Sequence, residues 1–276
     1  ADDYQDLLRI SIASAGNDHR LGAAEAPPAI ISMFLGEELT GILEAIENDT
    51  ACDVKEKELF KVGVHALPRF PKDTTDRNRT SPFAFTGNKF EFRMLGSSNS
   101  IACANIMLNS AVASVLRRYA DELEGAENFD AALHELIRSA ISAHKRIIFN
   151  GNGYDAAWLR EAERRGLSDL RTTPDCMPRL LDEKNVTMLT SLGVYTEAEL
   201  RSRYEIMLEN YCKTVSIEAL TMADMAKKEI LPAVEAFAAD TARAAAAKRA
   251  LDPDCPCAYE RGLVRRLSTL CDLIAA

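Results

Sequence analysis

The sequence predicts an α+β fold, in which antiparallel strands pack with helices over residues 1–150 and an all-helical region follows. From Lys89 to Met94, charged and apolar residues alternate, as they do along a strand whose two faces differ. The apolar segment Phe83–Phe85 precedes it, and Thr86-Gly87-Asn88 between the two is typical of a tight hairpin turn. Beyond residue 150, apolar residues follow helical spacing almost throughout.

Upstream of this hairpin, residues 29–35 form a short apolar run that predicts a buried strand. Residues 37–76 separate that run from the hairpin, and their first part is rich in Glu and Lys, with Leu43 and Ile46 at helical spacing. We therefore expect a helix-bearing insertion with a solvated charged face between two strands of an antiparallel sheet.

Two helices should follow the hairpin. Residues 98–100, Ser-Asn-Ser, can cap a helix that runs to about Tyr119 and packs behind the sheet. A second helix is predicted from Phe129 to His144. The next segment, Asn-Gly-Asn-Gly-Tyr at residues 150–154, lacks the lysine of a P-loop and the longer glycine pattern of a dinucleotide fold, so a turn is favoured.

The remaining residues, 151–276, form the predicted helical extension. Thr196 and Glu199 have the spacing of a capping box, at the start of a helix that extends to about Ala250 with a kink or break at Pro232. A last helix begins near Tyr259, and its pattern is still in progress at the final residue. We therefore expect a truncated second domain, 151–276, after a first domain, 1–150.

Composition excludes several classes of protein. The chain has 276 residues, of which 47% are hydrophobic, enough for a substantial core. Its net charge of -9 and its lack of a basic stripe argue against a nucleic-acid partner. No apolar run approaches the roughly 20 residues that cross a bilayer, so no membrane partner is expected. Seven cysteines, an odd number, favour a reducing cytoplasm.

Chemistry is expected on the charged face of the predicted strand, where Lys89, Glu91 and Arg93 point the same way. Three ionised groups in a row are costly to bury unless they meet opposite charges, a metal ion or an anionic ligand. A solvated outer strand is the alternative interpretation of this pattern.

Several motifs in a fixed order carry a family resemblance. They are Asn-Asp-His-Arg-Leu-Gly at 17–22, Ala-Glu-Ala-Pro-Pro at 24–28, Asn-Arg-Thr at 78–80 and Glu-Phe-Arg at 91–93. Together they resemble the C-terminal half of the glutamine synthetase catalytic domain. The segments 17–22 and 81–93 resemble the type III branch of that family.

The resemblance implies roles for two residues of the strand. Glu91 corresponds to a glutamate that holds one of two catalytic Mg²⁺ or Mn²⁺ ions, and a carboxylate is the hard oxygen ligand that such ions need. Arg93 corresponds to an arginine that binds the substrate carboxylate, which a planar guanidinium can hold with two hydrogen bonds.

Roles for two residues near the N-terminus are implied in the same way. Arg20 resembles an arginine that contacts the reacting end of the substrate. Glu25 matches a glutamate that takes a proton from ammonium and shields the acyl phosphate from water. The loop that carries Glu25 is one residue shorter than the family pattern, and an ordinary surface loop is the alternative for this residue.

The nucleotide contacts implied by the resemblance depart from the family pattern. Arg79 matches an arginine that contacts nucleotide phosphates, and Lys89 occupies a position where the family usually has another arginine. Ala84 stands where a further arginine is usual. Phosphate neutralisation would therefore use fewer guanidinium groups than in the family pattern.

As a whole, the resemblance implies a segment of an ATP-dependent ligase that joins ammonium to glutamate through a γ-glutamyl phosphate, in a homo-oligomer of stacked rings. The family's N-terminal β-grasp domain and its other metal ligands have no counterpart here, so we expect the segment to be inactive alone. Two alternatives stay open. One is another carboxylate-amine ligase or a kinase on the same scaffold. The other is a noncatalytic assembly or regulatory module, which the departures at Ala84 and Lys89 favour.

Overall fold

The computed structural model describes residues 1–50, 59–60, 70–71 and 80–276. These residues form two compact units, Ala1–Tyr211 and Cys212–Ala276. The predicted domain boundary at residue 150 stays a prediction about family organisation. Within the first unit, however, residues beyond 150 share a core with the hairpin, because Trp158 and Leu167 pack in the same cluster as Phe83.

Helices account for most of the described residues. In chain order they are α1 (Gln5–Ile10), α2 (Ala15–Arg20), α3 (Glu37–Glu47), α4 (Ala102–Leu123), α5 (Phe129–His144), α6 (Ala156–Arg164), α7 (Thr173–Cys176), α8 (Glu183–Ser191), α9 (Glu197–Met225), α10 (Leu231–Leu251) and α11 (Ala258–Ala275). No helix in the described part of the chain is long and apolar enough to span a membrane.

Five short strands accompany these helices: β1 (Met33–Phe34), β2 (Leu59–Phe60), β3 (Phe70–Pro71), β4 (Phe83–Phe85) and β5 (Phe90–Phe92). Strands β2 and β3 form an antiparallel pair, and the other three form a sheet in the order β1-β4-β5.

The expectation of an antiparallel sheet is only partly right, because β1 runs parallel to β4 while β4 and β5 are antiparallel. Parallel neighbours need a long crossover connection, and residues 35–82 supply one that contains α3. That helix is the predicted helix of the 37–76 insertion. The stretches 51–58, 61–69 and 72–79 lie outside the described residues.

The predicted hairpin is confirmed. Ala84 pairs with Glu91 in the register of β4 and β5, and the backbone amide of Thr86 donates to the carbonyl oxygen of Lys89 across the turn. Gly87 has a φ of 94°, in the left-handed region that glycine adopts without steric cost.

Helix α1 lies between two hydrophobic cores of the first unit. Leu8 packs with Ile31, Phe83 and Trp158 in one core. Leu7, next along the helix, packs in the other, whose largest members include Met107, Met177, Leu189 and Leu200. Burying one such leucine stabilises the fold by about 1.5–3 kcal/mol. Both cores therefore hold α1.

The later helices follow the sequence prediction closely. The Thr196–Glu199 capping box forms at the start of α9, since each residue's backbone amide donates to the other's side chain. A π-helical turn, Ala226–Ile230, comes directly before α10, whose first turn contains Pro232. The predicted break is thus present, because proline cannot donate the backbone hydrogen bond of a regular helix.

Within the second unit, α10 packs against α11. The Nζ of Lys248 on α10 lies 2.5 Å from Oε1 of Glu260 on α11. Cys257, at the start of α11, is 1% exposed, and its thiol contacts the carbonyl oxygen of Ala245.

Candidate active site

Glu91, on the charged face of β5, contacts the charged side chains before and after it, those of Lys89 and Arg93. Both Nε and the terminal nitrogen NH2 of Arg93 donate to Oε2 of Glu91, at 3.1 Å and 2.9 Å. The Nζ of Lys89 lies 3.3 Å from the other carboxylate oxygen. The Arg93 guanidinium and, second, the Lys89 ammonium hold the pKa of Glu91 below its usual value. Glu91 is therefore a carboxylate with cations on both sides.

Exposure differs along this face. The Arg93 side chain is 16% exposed, the Glu91 side chain 36% and the Lys89 side chain 65%. On the opposite face, Met94 is buried and the ring of Phe92 meets that of Phe83 edge-on at 5.6 Å. Exposure to solvent thus increases from the Arg93 guanidinium through Glu91 to the Lys89 ammonium.

Arg20 reaches the same end of the hairpin from α2. Its terminal nitrogen NH2 donates to the backbone carbonyl of Met94, directly after Arg93. Its Nε donates to the side-chain oxygen of Asn17, one helical turn earlier, at 2.9 Å. The structure therefore brings the Arg20 guanidinium to the backbone directly after Arg93.

Asn17 connects α2 to the end of the hairpin, although it was not among the predicted site residues. It is 3% exposed, and its amide nitrogen donates to the carbonyl oxygens of Ile12 and Met94. The hydroxyl of Ser14 caps α2 by accepting the backbone amide of Asn17. A buried asparagine three residues before Arg20 was the signal available in the sequence, because residues i and i+3 meet on a helix.

A buried ion pair fixes the orientation of α2. The terminal nitrogen NH2 of Arg9, on α1, lies 2.7 Å from the Asp18 carboxylate, and these side chains are 1% and 7% exposed. Arg9 also donates to the carbonyl oxygens of Leu170 and Arg171. The second Asp18 oxygen accepts the backbone amide of Thr173. Every polar contact of this pair lies in the first unit.

Glu25 lies in a loop that we call the Glu25 loop, residues 21–27. The backbone amide of Gly22 donates to the carbonyl oxygens of both Ala26 and Pro27, at 3.1 Å and 3.0 Å, which closes the base of the loop. Glu25 itself is exposed. Among residues 1–50 and 80–276, no group holds its carboxylate by a hydrogen bond or ion pair, and the structure does not bring it into contact with Glu91 or Arg93.

The two predicted nucleotide contacts have different outcomes. Lys89 lies beside Glu91, as described above, whereas Arg79 falls outside the described residues. Its neighbour Thr80 is described, and the carbonyl oxygen of Thr80 accepts the backbone amide of Gly153 at 3.0 Å. The glycine-containing loop after residue 149 therefore touches the segment that leads into β4.

Comparison with known proteins decides the family. A model of the glutamine synthetase C-terminal domain matches residues 132–249. The chain is 43% identical over 276 residues to a glutamine synthetase of Butyrivibrio fibrisolvens, an alignment that takes in 96% of this chain and 38% of that relative. It is also 43% identical over 235 residues to the type-3 glutamine synthetase of Dictyostelium discoideum, with 84% of this chain and 32% of that relative aligned.

This chain belongs to the glutamine synthetase family. A third relative, the glutamine synthetase of Bacteroides fragilis (strain YCH46), is 43% identical over 235 residues, which are 83% of this chain and 32% of the relative. The chain thus spans about a third of the length of the glutamine synthetases it matches. The resemblance stated from the motifs is confirmed.

Glu91 is the candidate ligand for a divalent metal ion. Its carboxylate offers hard oxygens, and its lowered pKa keeps it ionised, so it fits Mg²⁺ or Mn²⁺ as one ligand. Within the described part of the chain, there is no group of three or more His, Cys, Asp or Glu residues that could hold a metal ion.

Proposed function

We propose that this chain contributes substrate-binding and catalytic residues to an ATP-dependent glutamate–ammonia ligase, as a segment of a longer protein. The proposal rests on one contact: the Arg20 guanidinium donates to the backbone carbonyl of Met94, directly after Arg93. The Arg93 guanidinium in turn donates to the Glu91 carboxylate. Two guanidinium groups from separate elements and one carboxylate are the groups that binding and activating a dicarboxylic amino acid requires.

Arg93 would bind a carboxylate of glutamate. Its guanidinium is 16% exposed and is already bonded to a carboxylate, that of Glu91, through two nitrogens. Partial burial strengthens such charge-assisted bonds relative to those in water. Arg20 would contact the reacting carboxyl group, because its guanidinium is held at the carbonyl oxygen of Met94, directly after Arg93.

The chemistry would proceed in two displacements. An oxygen of the glutamate side-chain carboxylate attacks the γ-phosphorus of ATP, ADP leaves, and an acyl phosphate forms. Ammonia then attacks the acyl carbon, and inorganic phosphate leaves with the former carboxylate oxygen. Glu25 would take the proton that ammonium loses, a role that an exposed carboxylate on a loop can perform if the loop lies over the reacting atoms.

Charge neutralisation during phosphoryl transfer would come from a divalent ion held by Glu91 and from cationic side chains. Glu91 would supply one ligand to Mg²⁺ or Mn²⁺, and the bound ion would neutralise charge on the transferring phosphoryl group. Lys89, which is largely exposed beside it, and Arg79 would contact the phosphates of ATP. A cytoplasmic homo-oligomer, whose neighbouring subunits complete each site, belongs to the same proposal.

A noncatalytic assembly or regulatory module is the second candidate. The observation in its favour is Ala84, which pairs directly with Glu91 and leaves a methyl group where the family pattern has an arginine. In that case the charged row on β5 would serve packing or assembly alone. Another carboxylate-amine ligase of the superfamily is a third candidate, with the same residues but a different acceptor.

Glutamine formation by full-length variants separates these candidates. We expect Glu91→Gln and Arg93→Lys to lower kcat/KM by about 100-fold or more, as removal of one charge-stabilising group does in other enzymes. Glu135→Gln and Arg138→Lys are matched controls, because that exposed Arg–Glu pair on α5 is also joined by two hydrogen bonds from Nε and NH2. Unchanged turnover with altered oligomer size would favour the module. ADP release that needs an acceptor other than ammonium would favour the other ligase.

A further inference from the structure

A second loop packs on the candidate site. Residues 150–154, which we call the Gly153 loop, have one buried member, Gly153, between exposed neighbours. A Cβ atom on Gly153 would lie 2.4 Å from the carbonyl oxygen of Thr80 and 3.3 Å from the Cβ of Pro27. The first distance is far below van der Waals contact, so this position accepts only glycine.

Both ends of the Gly153 loop are held firmly. At its start, the Asn150 side-chain oxygen accepts the backbone amides of Leu35 and Gly36, both at 3.0 Å, and its amide nitrogen donates to Thr40 on α3. Just before the loop, the backbone amide of Phe149 donates to the carbonyl oxygen of Met33 on β1. The first half of the loop is thereby fixed to the sheet.

After the loop, α6 provides the second support. The rings of Phe149 and Trp158 stack with centroids 3.8 Å apart, and Trp158 is 3% exposed. The guanidinium of Arg165 lies over both rings and donates to the carbonyl oxygen of Ile148 at 2.7 Å. Residues on both sides of the loop therefore pack in one buried stack, which leaves Gly153 little freedom to shift.

The contacts of Gly153 join two parts of the proposed site. Pro27 is the last residue of the Glu25 loop, and its carbonyl oxygen accepts the Gly22 amide that closes that loop. Thr80 precedes the strand pair that carries Arg93. The main chain of Gly153 thus lies between the base of the Glu25 loop and the entry to β4.

We propose that Gly153 is a positioning residue that determines how far the Glu25 loop lies from the substrate. This inference rests on the proposed function. Because there is little room for a side chain at position 153 beside Pro27, the Gly153 main chain limits where the closed base of residues 21–27 lies, and so where the Glu25 carboxylate can reach. When that base shifts, water gains access to the acyl phosphate and ammonium loses its proton acceptor.

Gly153→Ala in the full-length protein tests the proposal. We expect KM for ammonium to rise about tenfold or more, while KM for glutamate changes less than about twofold. Phosphate release from ATP in the presence of glutamate but without ammonium should rise as well. In that side reaction water attacks the acyl phosphate, releases phosphate and returns glutamate.

Gly151→Ala is the matched control, since it lies in the same loop but its Cβ would meet the Phe149 ring, at 2.5 Å, rather than Thr80 or Pro27. If both variants change the ammonium KM alike, the effect comes from general loosening of the loop and the proposal fails. It also fails if Gly153→Ala leaves the ammonium KM and the uncoupled phosphate release unchanged.

If the wild-type protein makes no glutamine, the proposed function is refuted. Amide hydrogen exchange then still tests the positioning role of Gly153. Gly153→Ala should speed exchange of the Gly22 amide, and Gly151→Ala should not. Asn152→Ala serves if Gly153→Ala does not fold. The side-chain oxygen of the exposed Asn152 accepts the backbone amide of Tyr154, so Asn152→Ala frees the residue next to Gly153 without added volume. The contacts of Asn150 and Phe149, which hold the start of the loop, do not involve the Asn152 side chain. Unaltered Gly22 exchange in either test variant would overturn the positioning role.

Discussion

The side-chain oxygen of Asn17 accepts Nε of Arg20 at 2.9 Å, while its amide nitrogen holds the carbonyl oxygen of Met94 that Arg20 also contacts. One buried amide therefore links α2, the end of β5 and the candidate substrate arginine. Asn17→Ala leaves two buried carbonyl oxygens short of a donor, which costs about 1–3 kcal/mol of unfolding free energy.

In the full-length enzyme, Asn17→Ala should also raise KM for glutamate about tenfold, because Arg20 loses the group that orients it. Urea unfolding and steady-state kinetics measure the two effects. Asn48→Ala is the control, as the side chain of the exposed Asn48 donates to the carbonyl oxygen of Glu44 at the end of α3. A fall in stability with an unchanged glutamate KM would show that Asn17 supports the fold and not the site.

Removing one partner of the buried Arg9–Asp18 pair should be costly. We expect Asp18→Asn to lower the free energy of unfolding by about 3–5 kcal/mol, because Arg9 would keep its charge in an apolar setting. Glu197→Gln breaks the exposed ion pair with Arg201 and should cost less than about 0.5 kcal/mol. Equal losses in urea unfolding would mean that burial adds nothing to the Arg9–Asp18 interaction.

The isolated chain, residues 1–276, should bind no catalytic pair of divalent ions and form no glutamine from glutamate, ammonium and ATP. The reason is that the described residues contain no group of three or more His, Cys, Asp or Glu side chains that could hold a metal ion. Isotope-labelled ammonium and detection of labelled glutamine by mass spectrometry provide the assay, with circular dichroism to verify folding. Glutamine production by the folded isolated chain would contradict the expectation.

Stability should depend on pH through Glu161. The Arg164 guanidinium and then that of Arg165 lower its pKa from 4.5 to about 2 in the folded chain. The folded pKa is below the unfolded one, so the stabilisation is fully present above pH 4.5 and is lost as the pH falls toward 2. The difference in urea midpoint between wild type and Glu161→Gln should therefore be constant from pH 7 to 5 and shrink below. A gap that persists unchanged at the lowest pH would rule out this linkage.

Thiol reactivity should separate two cysteines. Burial raises the pKa of Cys176 to about 11, so about one molecule in a thousand carries the thiolate at pH 8. Cys212 is exposed. Iodoacetamide at pH 8 should modify Cys212 in the folded chain and reach Cys176 only in urea, as mass spectrometry of peptides can establish. Rapid modification of Cys176 without denaturant would place that thiol at the surface.

Local patterns in the sequence were sufficient to predict the hairpin and the longer helices, but not the short helices α1, α2, α7 and α8. Alternation from Lys89 to Met94 predicted the charged face of β5, and the bounds of α5 agree with the predicted 129–144. The parallel pairing of β1 with β4 could not be read in this way, because it depends on the course of the chain between two distant strands. Local periodicity carries no information about that pairing.

The candidate site, like the fold, could be predicted only in part. The type and order of Arg20, Glu25, Glu91 and Arg93 indicated the family, but the contacts that hold them come from residues with no chemical signature of their own. Asn17 is one, and Gly153 is another. The importance of Gly153 follows from the carbonyl oxygen of Thr80, which lies 73 positions away in sequence and 3.0 Å away from its amide nitrogen.

Arg9 donates to the carbonyl oxygens of Leu170 and Arg171. These two contacts limit how short a fragment can be and still keep the candidate site. A fragment that stops at residue 150 would strip Arg9 of these acceptors and free Asp18 from the Thr173 amide. The helix bearing Arg20 would then lack its tether on one side. Dissection of this protein into autonomous pieces has to cut after residue 173, well inside what the sequence alone assigns to the helical extension.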